Sequence, residues 1–252
     1  MQDFRKNCVY CTVIKKSIMM KSVFSWFAIA AAVLSIAACK LDDDSFDPSI
    51  MYPSAVVTVK PDADNSSFFM QLDEETVLHA VNMKKSPFGT KEVRALVNYR
   101  KPTAEEMQKG GLYDDANNVY INWIDSVLTK KTVPDLGEDA NAAKYGNDPV
   151  EIVGDWTTVV EDGYITLRFR TIWTDGVMHR INLVASSDPA DPYKVTLYHD
   201  AAGDHSGREG DALVAFSLAD LPDTHGETVD LTLEWKSFSG VKTAKFKYKT
   251  RE

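Results

Sequence analysis

The densest collection of side chains able to bind a metal or move a proton is residues 199–211, HDAAGDHSGREGD, which gathers His199, Asp200, Asp204, His205, Glu209 and Asp211. Carboxylates in a glycine-rich loop are the donor type that holds Ca²⁺, and two histidines with an acid suit Zn²⁺. The spacing argues against both: D-x-[DN]-x-[DN]-G is absent, and His199 and His205 lack the i, i+4 placement of a zinc helix. A flexible loop between strands explains the same letters. Asp200, Asp204, His205 and Asp211 therefore stand only as weak metal candidates, and no metal or other cofactor is expected. Asp73, Glu74 and Glu75 could pair as carboxylates for sugar hydrolysis, but three acids in a row between strands read as a solvated turn. No G-x-S-x-G elbow occurs, so the expectation is a protein that is not an enzyme.

Two surface chemistries remain. Trp123, Trp156, Trp173 and Trp235, with Tyr99 and Tyr164, could supply a carbohydrate platform, yet most sit on alternating apolar faces where packing is the default. Trp156 lies between Asp155 and Thr157 and is the one whose exposure would matter. Arg94, Arg100, Lys84 and Lys85 could meet an anionic partner, or simply form the wet face of a small barrel.

What organises these candidates is residues 23–39, VFSWFAIAAAVLSIAAC. Lys15, Lys16 and Lys21 precede a short apolar run with small residues at its end, the anatomy of an export signal. A span would need about 20 apolar residues, whereas Cys39 is followed by Lys40 and the acidic run Asp42, Asp43 and Asp44. Residues 36–39, IAAC, resemble the bacterial lipobox, which implies that residues 1–38 are removed and that the Cys39 thiol is acylated. The residues before Met19 read as an over-extended start, and Cys8 and Cys11 would be discarded with the signal. Several acyl chains, palmitate among them, then anchor the protein durably where one could not. Asp42–Asp44 resemble the surface-export signal of Bacteroidetes lipoproteins, implying the outer membrane with the body facing outward; a solvated linker is the lesser alternative. Residues 39–53 read as a lipidated tether.

The 252 residues carry a formal net charge of −9. Without residues 1–38 the remainder holds 23 basic against 36 acidic residues, a net −13, which phosphate backbones would repel. Nucleic acid is not an expected partner. Of three cysteines only Cys39 survives processing, so no internal disulfide can form.

Beyond the tether the pattern turns to short alternating strands. Residues 54–133 hold five, at 55–60, 67–72, 76–81, 91–100 and 119–128, with a short helix at 104–108; this suits a small Greek-key barrel of the OB type. In the fourth, Glu92, Arg94, Asn98 and Arg100 form a face expected to be wet. Residues 134–148 are a low-hydrophobicity linker. Residues 149–252 read as about seven strands of an antiparallel β-sandwich, with the clearest alternation at 164–173, a hairpin signal at Asp175-Gly176, and an edge strand at 244–248 defended by lysines. The fold class is all-β throughout.

The order of motifs resembles the NigD-like lipoprotein family. The residues that carry it are Tyr52-Pro53, Ser86-Pro87-Phe88-Gly89, EVRALVNY at 92–99, VYINWIDS at 119–126, PDLG at 134–137, YGNDP at 145–149, DGYITLRFR at 162–170, GDALVAF at 210–216, LPDT at 221–224 and WKSFSG at 235–240. The resemblance implies an OB-type domain followed by a β-sandwich, and no catalytic residues. The expected function is a surface-anchored accessory or binding protein engaging an envelope protein or a secreted peptide, with a possible link to bacteriocin systems. The alternatives are a glycan-binding module for nutrient capture and, behind it, a hydrolase. Oligomeric state is not legible.

Overall fold

The computed structural model describes residues 47–110 and 116–251. Cys39, Asp42, Asp43, Asp44 and the whole export signal lie outside the described residues. The first half is a closed barrel of β1 (Ala55–Pro61), β2 (Phe68–Gln71), β3 (Val77–Ala80), β4 (Val93–Arg100) and β5 (Asn118–Ser126), in the order β1-β2-β3-β5-β4, with helix α1 (Ala104–Gly110) between β4 and β5. That order, with β3 parallel to β5, is an OB barrel. Alternation drives it: Val57, Val59, Met70, Ala95, Val97 and Ile121 point inward and are buried.

The second half stacks two sheets. One contains β10 (Arg180–Ala185), β11 (Lys194–Asp200), β13 (Val229–Ser237) and β14 (Gly240–Tyr248), in that order. The other contains β6 (Leu128–Lys131), β12 (Arg208–Ser217), β9 (Tyr164–Trp173) and β7 (Glu151–Ile152), with β8 (Val159–Glu161) also paired to β9. Ile165, Leu167 and Phe169 of β9 meet Leu183, Leu197, Leu231 and Leu233 from the facing sheet. The sheets are not purely antiparallel as expected: β11 runs parallel to β13, and β6 parallel to β12.

Three further departures share one cause, which is that tertiary partners override local pattern. Residues 128–131, placed by periodicity with the barrel, pair with β12 of the sandwich. The polar stretch read as linker holds helix α2 (Glu138–Tyr145), opened by Gly137 at φ 87° and fastened when the Tyr145 hydroxyl donates to the Pro134 carbonyl at 2.9 Å. The tether read as reaching Pro53 is already part of the barrel from Asp47 onward. There a 3-10 turn (Pro48–Met51) is capped by Asp47, whose carboxylate accepts from the Ser49 amide. Asn98 Nδ2 donates to the carbonyls of Ser49 (3.0 Å) and Tyr52 (2.6 Å), and Trp123 Nε1 donates to that of Ile50.

The face of β4 expected to be wet is therefore covered at Asn98 and Arg94, while Arg100 at its end is exposed as expected. The turn lies over Asn98, and Arg94 is fully buried against the sandwich. Its Nε donates to Thr166 Oγ1 (3.2 Å), Nη1 to Thr58 Oγ1 (3.1 Å) and Nη2 to Glu161 Oε2 (3.1 Å). Around it Lys60 pairs with Asp162 at 2.8 Å, and Arg251 with Glu92 at 2.6 Å.

Candidate functional site

Strand β12 starts four residues earlier than the pattern suggests, so Glu209 and Asp211 stand on a strand and not in a loop. Asp211 accepts from Arg168 Nη2 and from Arg170 Nε, both at 2.6 Å, and these two guanidiniums hold its carboxyl below the usual range. Asp200 faces Arg180 at 3.1 Å. His205 is exposed. Among the described residues no three His, Cys, Asp or Glu side chains come together at a distance that would hold a metal ion. Asp200, Asp204, His205 and Asp211 do not converge, because each acid answers a different basic or polar neighbour.

Asp204 and His199 are nonetheless brought into one buried chain, through a residue that the sequence did not single out. Thr174 donates its amide to Asp204 Oδ2 (2.6 Å) and its hydroxyl to Oδ1 (2.7 Å); His179 Nε2 lies 3.2 Å from Oδ2, and His179 Nδ1 lies 2.9 Å from His199 Nε2. A carboxylate only accepts, so His179 Nε2 carries the proton, its Nδ1 accepts from His199 Nε2, and His199 Nδ1 is left bare. That atom is buried without a partner. Burial first, and then the neighbouring His179, push the His199 imidazole below its ordinary value, so it stays neutral. Trp173 stacks on His179 at 4.3 Å, and Gly207 and Gly210 leave the room it needs, since a Cβ at either would collide with Trp173. The chain resembles a relay but ends in the protein interior. Its chemistry is a clamp between the β9–β10 turn and the β11–β12 loop.

The other candidates sort by cover. Asp73 accepts from the amides of Glu75 and Thr76 and so builds a turn, not an acid pair. Trp235 is buried, Trp173 is stacked and Trp123 is tied to the N-terminal turn, whereas Trp156 is 54% exposed.

A cleft of about 480 Å³ lies on the barrel and is walled by the N-terminal turn, with Tyr52, Asn98, Tyr99, Arg100 and Asn122 among its lining. No sequence signal marked it, because it exists only once residues 47–53 fold back on β4 and β5. Its charged groups are already engaged. Asp47 is held below its usual range by the Ser49 amide, and Arg100 grips Glu106 through both nitrogens (2.8 and 2.7 Å), pulling that carboxyl down to about 2. Arg100 also lies over the Tyr120 ring at 4.0 Å. Asn122 Nδ2 donates to Asn98 Oδ1 at 2.6 Å. The result is a mostly apolar, tyrosine-edged cleft crossed by amide groups, whose two charged members are both already engaged.

Known proteins agree with this architecture. A model of the NigD-like N-terminal OB domain matches residues 56–127, and a model of the NigD-like C-terminal beta sandwich domain matches residues 131–248. Among solved structures, a toxin-related protein from Parabacteroides distasonis is 33% identical, with a TM-score of 0.63 over 78% of this chain and 92% of that one. A protein of unknown function from Bacteroides vulgatus (23% identical, TM-score 0.59, 77% and 89% covered) and a NigD-like immunity protein from Bacteroides caccae (20% identical, TM-score 0.54, 77% and 95% covered) share the fold. No curated protein matches the chain.

Proposed function

We propose that this chain, which belongs to the NigD-like family through both of its domains, is a non-catalytic accessory protein, anchored by acylated Cys39 at the outer membrane and facing outward. The observation that carries this reading is the barrel cleft. It is lined mainly by neutral side chains, with Ser54, Asn98 and Asn122 set between the apolar surfaces of Ile50, Tyr52, Pro53 and Tyr99, while its charged members are locked in an ion pair or a cap. Such a site can hold a ligand and has nothing with which to transform one. Its position favours a partner in the same envelope, because the cleft wall is the segment that leads back to Cys39. A secreted peptide is the other occupant of this class, and the description of one relative as an immunity protein is consistent with it.

The test is cross-linking on intact cells, followed by purification through a C-terminal tag. One dominant partner is expected, lost in Cys39→Ser and weakened by Asn122→Arg. Capture that ignores the cleft substitution, or no capture from a protein shown to be open to external protease, overturns the reading. A second reading, glycan capture, rests on Trp156, exposed beside the Asp155–Arg168 pair (2.5 Å). It lacks a second exposed tryptophan among the described residues.

A further inference from the structure

Residues 48–54, PSIMYPS, carry no charge, and three consecutive side chains in them point away from the protein: Ile50, Met51 and Tyr52 are 39, 53 and 69% exposed. Flexible tethers shed such residues. Here they are mounted rigidly, between Pro48 and Pro53, with the Asp47 cap below and the donors of Asn98 and Trp123 holding the carbonyls of Ser49, Ile50 and Tyr52. A fixed turn that spends three hydrogen bonds to present isoleucine, methionine and tyrosine outward is built to meet an apolar surface. Tyrosine adds an amphipathic ring of the kind that settles at the headgroup level.

The geometry points to the lipid surface itself as the occupant: we infer that the 50–52 turn inserts at the membrane interface beside the acyl anchor, so that the barrel, not the sandwich, rests on the bilayer. This rests on the acylation of Cys39 proposed above. Seven residues lie between Cys39 and Asp47, and the eight steps of chain that join them span at most roughly 28 Å when fully extended. The turn is thus kept within reach of the lipid by covalent connection alone. No acidic side chain lies between Pro48 and Asp62, and the neighbouring Asp47 keeps its carboxylate on the Ser49 amide. With the barrel seated, the cleft opens at the membrane surface, and a partner in the same membrane reaches it without crossing the body of the protein.

The mature chain has no cysteine besides Cys39, so Met51→Cys creates a single labelling site for a polarity-sensitive thiol dye on the acylated protein, and Val241→Cys, 71% exposed on the sandwich, serves as the comparison. Both are reconstituted in vesicles of phosphatidylethanolamine and phosphatidylglycerol with brominated chains. The expected result is a blue-shifted emission at position 51 that brominated lipid quenches about twofold, with neither change at position 241. Equal behaviour at the two positions on vesicle-bound protein overturns the inference and leaves the anchor intact. A blue shift at position 51 that appears without vesicles and grows with protein concentration assigns the turn to a second copy, which also overturns it. If the unsubstituted protein takes the dye, Cys39 is a free thiol, and the anchor reading and this inference fall together.

Discussion

The barrel and the sandwich both pair their charged groups but differ in what they leave open, and the proposed binding surface follows from that difference. The sandwich consumes its charges internally: Asp211 between Arg168 and Arg170, Asp204 beneath Thr174 and His179, and Asp230 against Lys245 and Lys247. The barrel closes on itself and leaves no free edge, which frees its outer face to carry a cleft and an exposed apolar turn. Ionisable residues are thus a poor guide to function here. Where they are densest they hold loops together, and the proposed partner surface is lined mainly by neutral side chains.

The joint between the halves offers the sharpest way to break this comparison. Burial pushes the Arg94 guanidinium down and the Glu161 carboxyl up, and buried pairs of this kind add little net stability over apolar side chains of the same size. Breaking it is another matter. Arg94→Ala, which strands Glu161, Thr58 and Thr166, is expected to cost about 3–5 kcal/mol in denaturant unfolding. Arg94→Met combined with Glu161→Leu should recover most of that. If the single and double substitutions cost the same, the joint holds by packing alone.

Next in size is the sandwich clamp. Gly207→Ala puts a Cβ into the Trp173 backbone at φ +115° and should lower stability by more than about 1 kcal/mol, read as a fall in denaturant midpoint. Gly137→Ala, at positive φ but facing open space, should cost less. Equal losses would show that backbone strain and not the Trp173 contact is what the loop protects.

The clamp also predicts a pH dependence confined to the sandwich. His199 has its folded pKa lowered from 6.5. Above about pH 6.5 both folded and unfolded states leave it neutral, and the stability is fully present; as pH falls below that value only the unfolded chain takes the proton, and stability is lost. His199→Gln should flatten this acid limb of the unfolding midpoint. An unchanged limb would assign the loss to carboxylates such as Asp211.

Much of this was legible in the sequence, and what was not had a common origin. Strand β9 (Tyr164–Trp173) spans the residues its alternation marks, and the lysines of β14 do guard a sheet edge. Alternation reports two faces, however, not what covers them. Arg94 and Asn98 read as wet because their cover comes from elsewhere, from β9 at long range and from the turn at residues 48–51. His179 went unnoticed because it lies 20 residues from His199, and only the β10–β11 register, pairing Ile181 with His199, brings them together. Helix α2 was hidden because its apolar residues are three alanines and Tyr145, with no stripe of large apolar side chains at helical spacing, and its buried side chains, Asn141 and Tyr145, carry its attachment. The cleft had no sequence signature, since mostly neutral side chains from three separate segments form it.

The smallest effects belong to the surface. Trp156→Ala should leave stability within about 0.5 kcal/mol of the parent and leave capture of an envelope partner unchanged; a loss of capture would move the binding face to the sandwich. Lys245→Thr with Lys247→Thr removes pairs to a half-exposed Asp230 and should change stability by less than about 1 kcal/mol, while raising sheet-edge association in sedimentation.

The most direct test of the central claim places a photo-activated cross-linking amino acid at Asn122, in the barrel cleft, and separately at Trp156, on the sandwich, in the anchored protein on living cells. A barrel-face binding protein predicts one discrete adduct from position 122 and none from position 156. A discrete adduct from position 156 alone would contradict it and give the binding role to the sandwich.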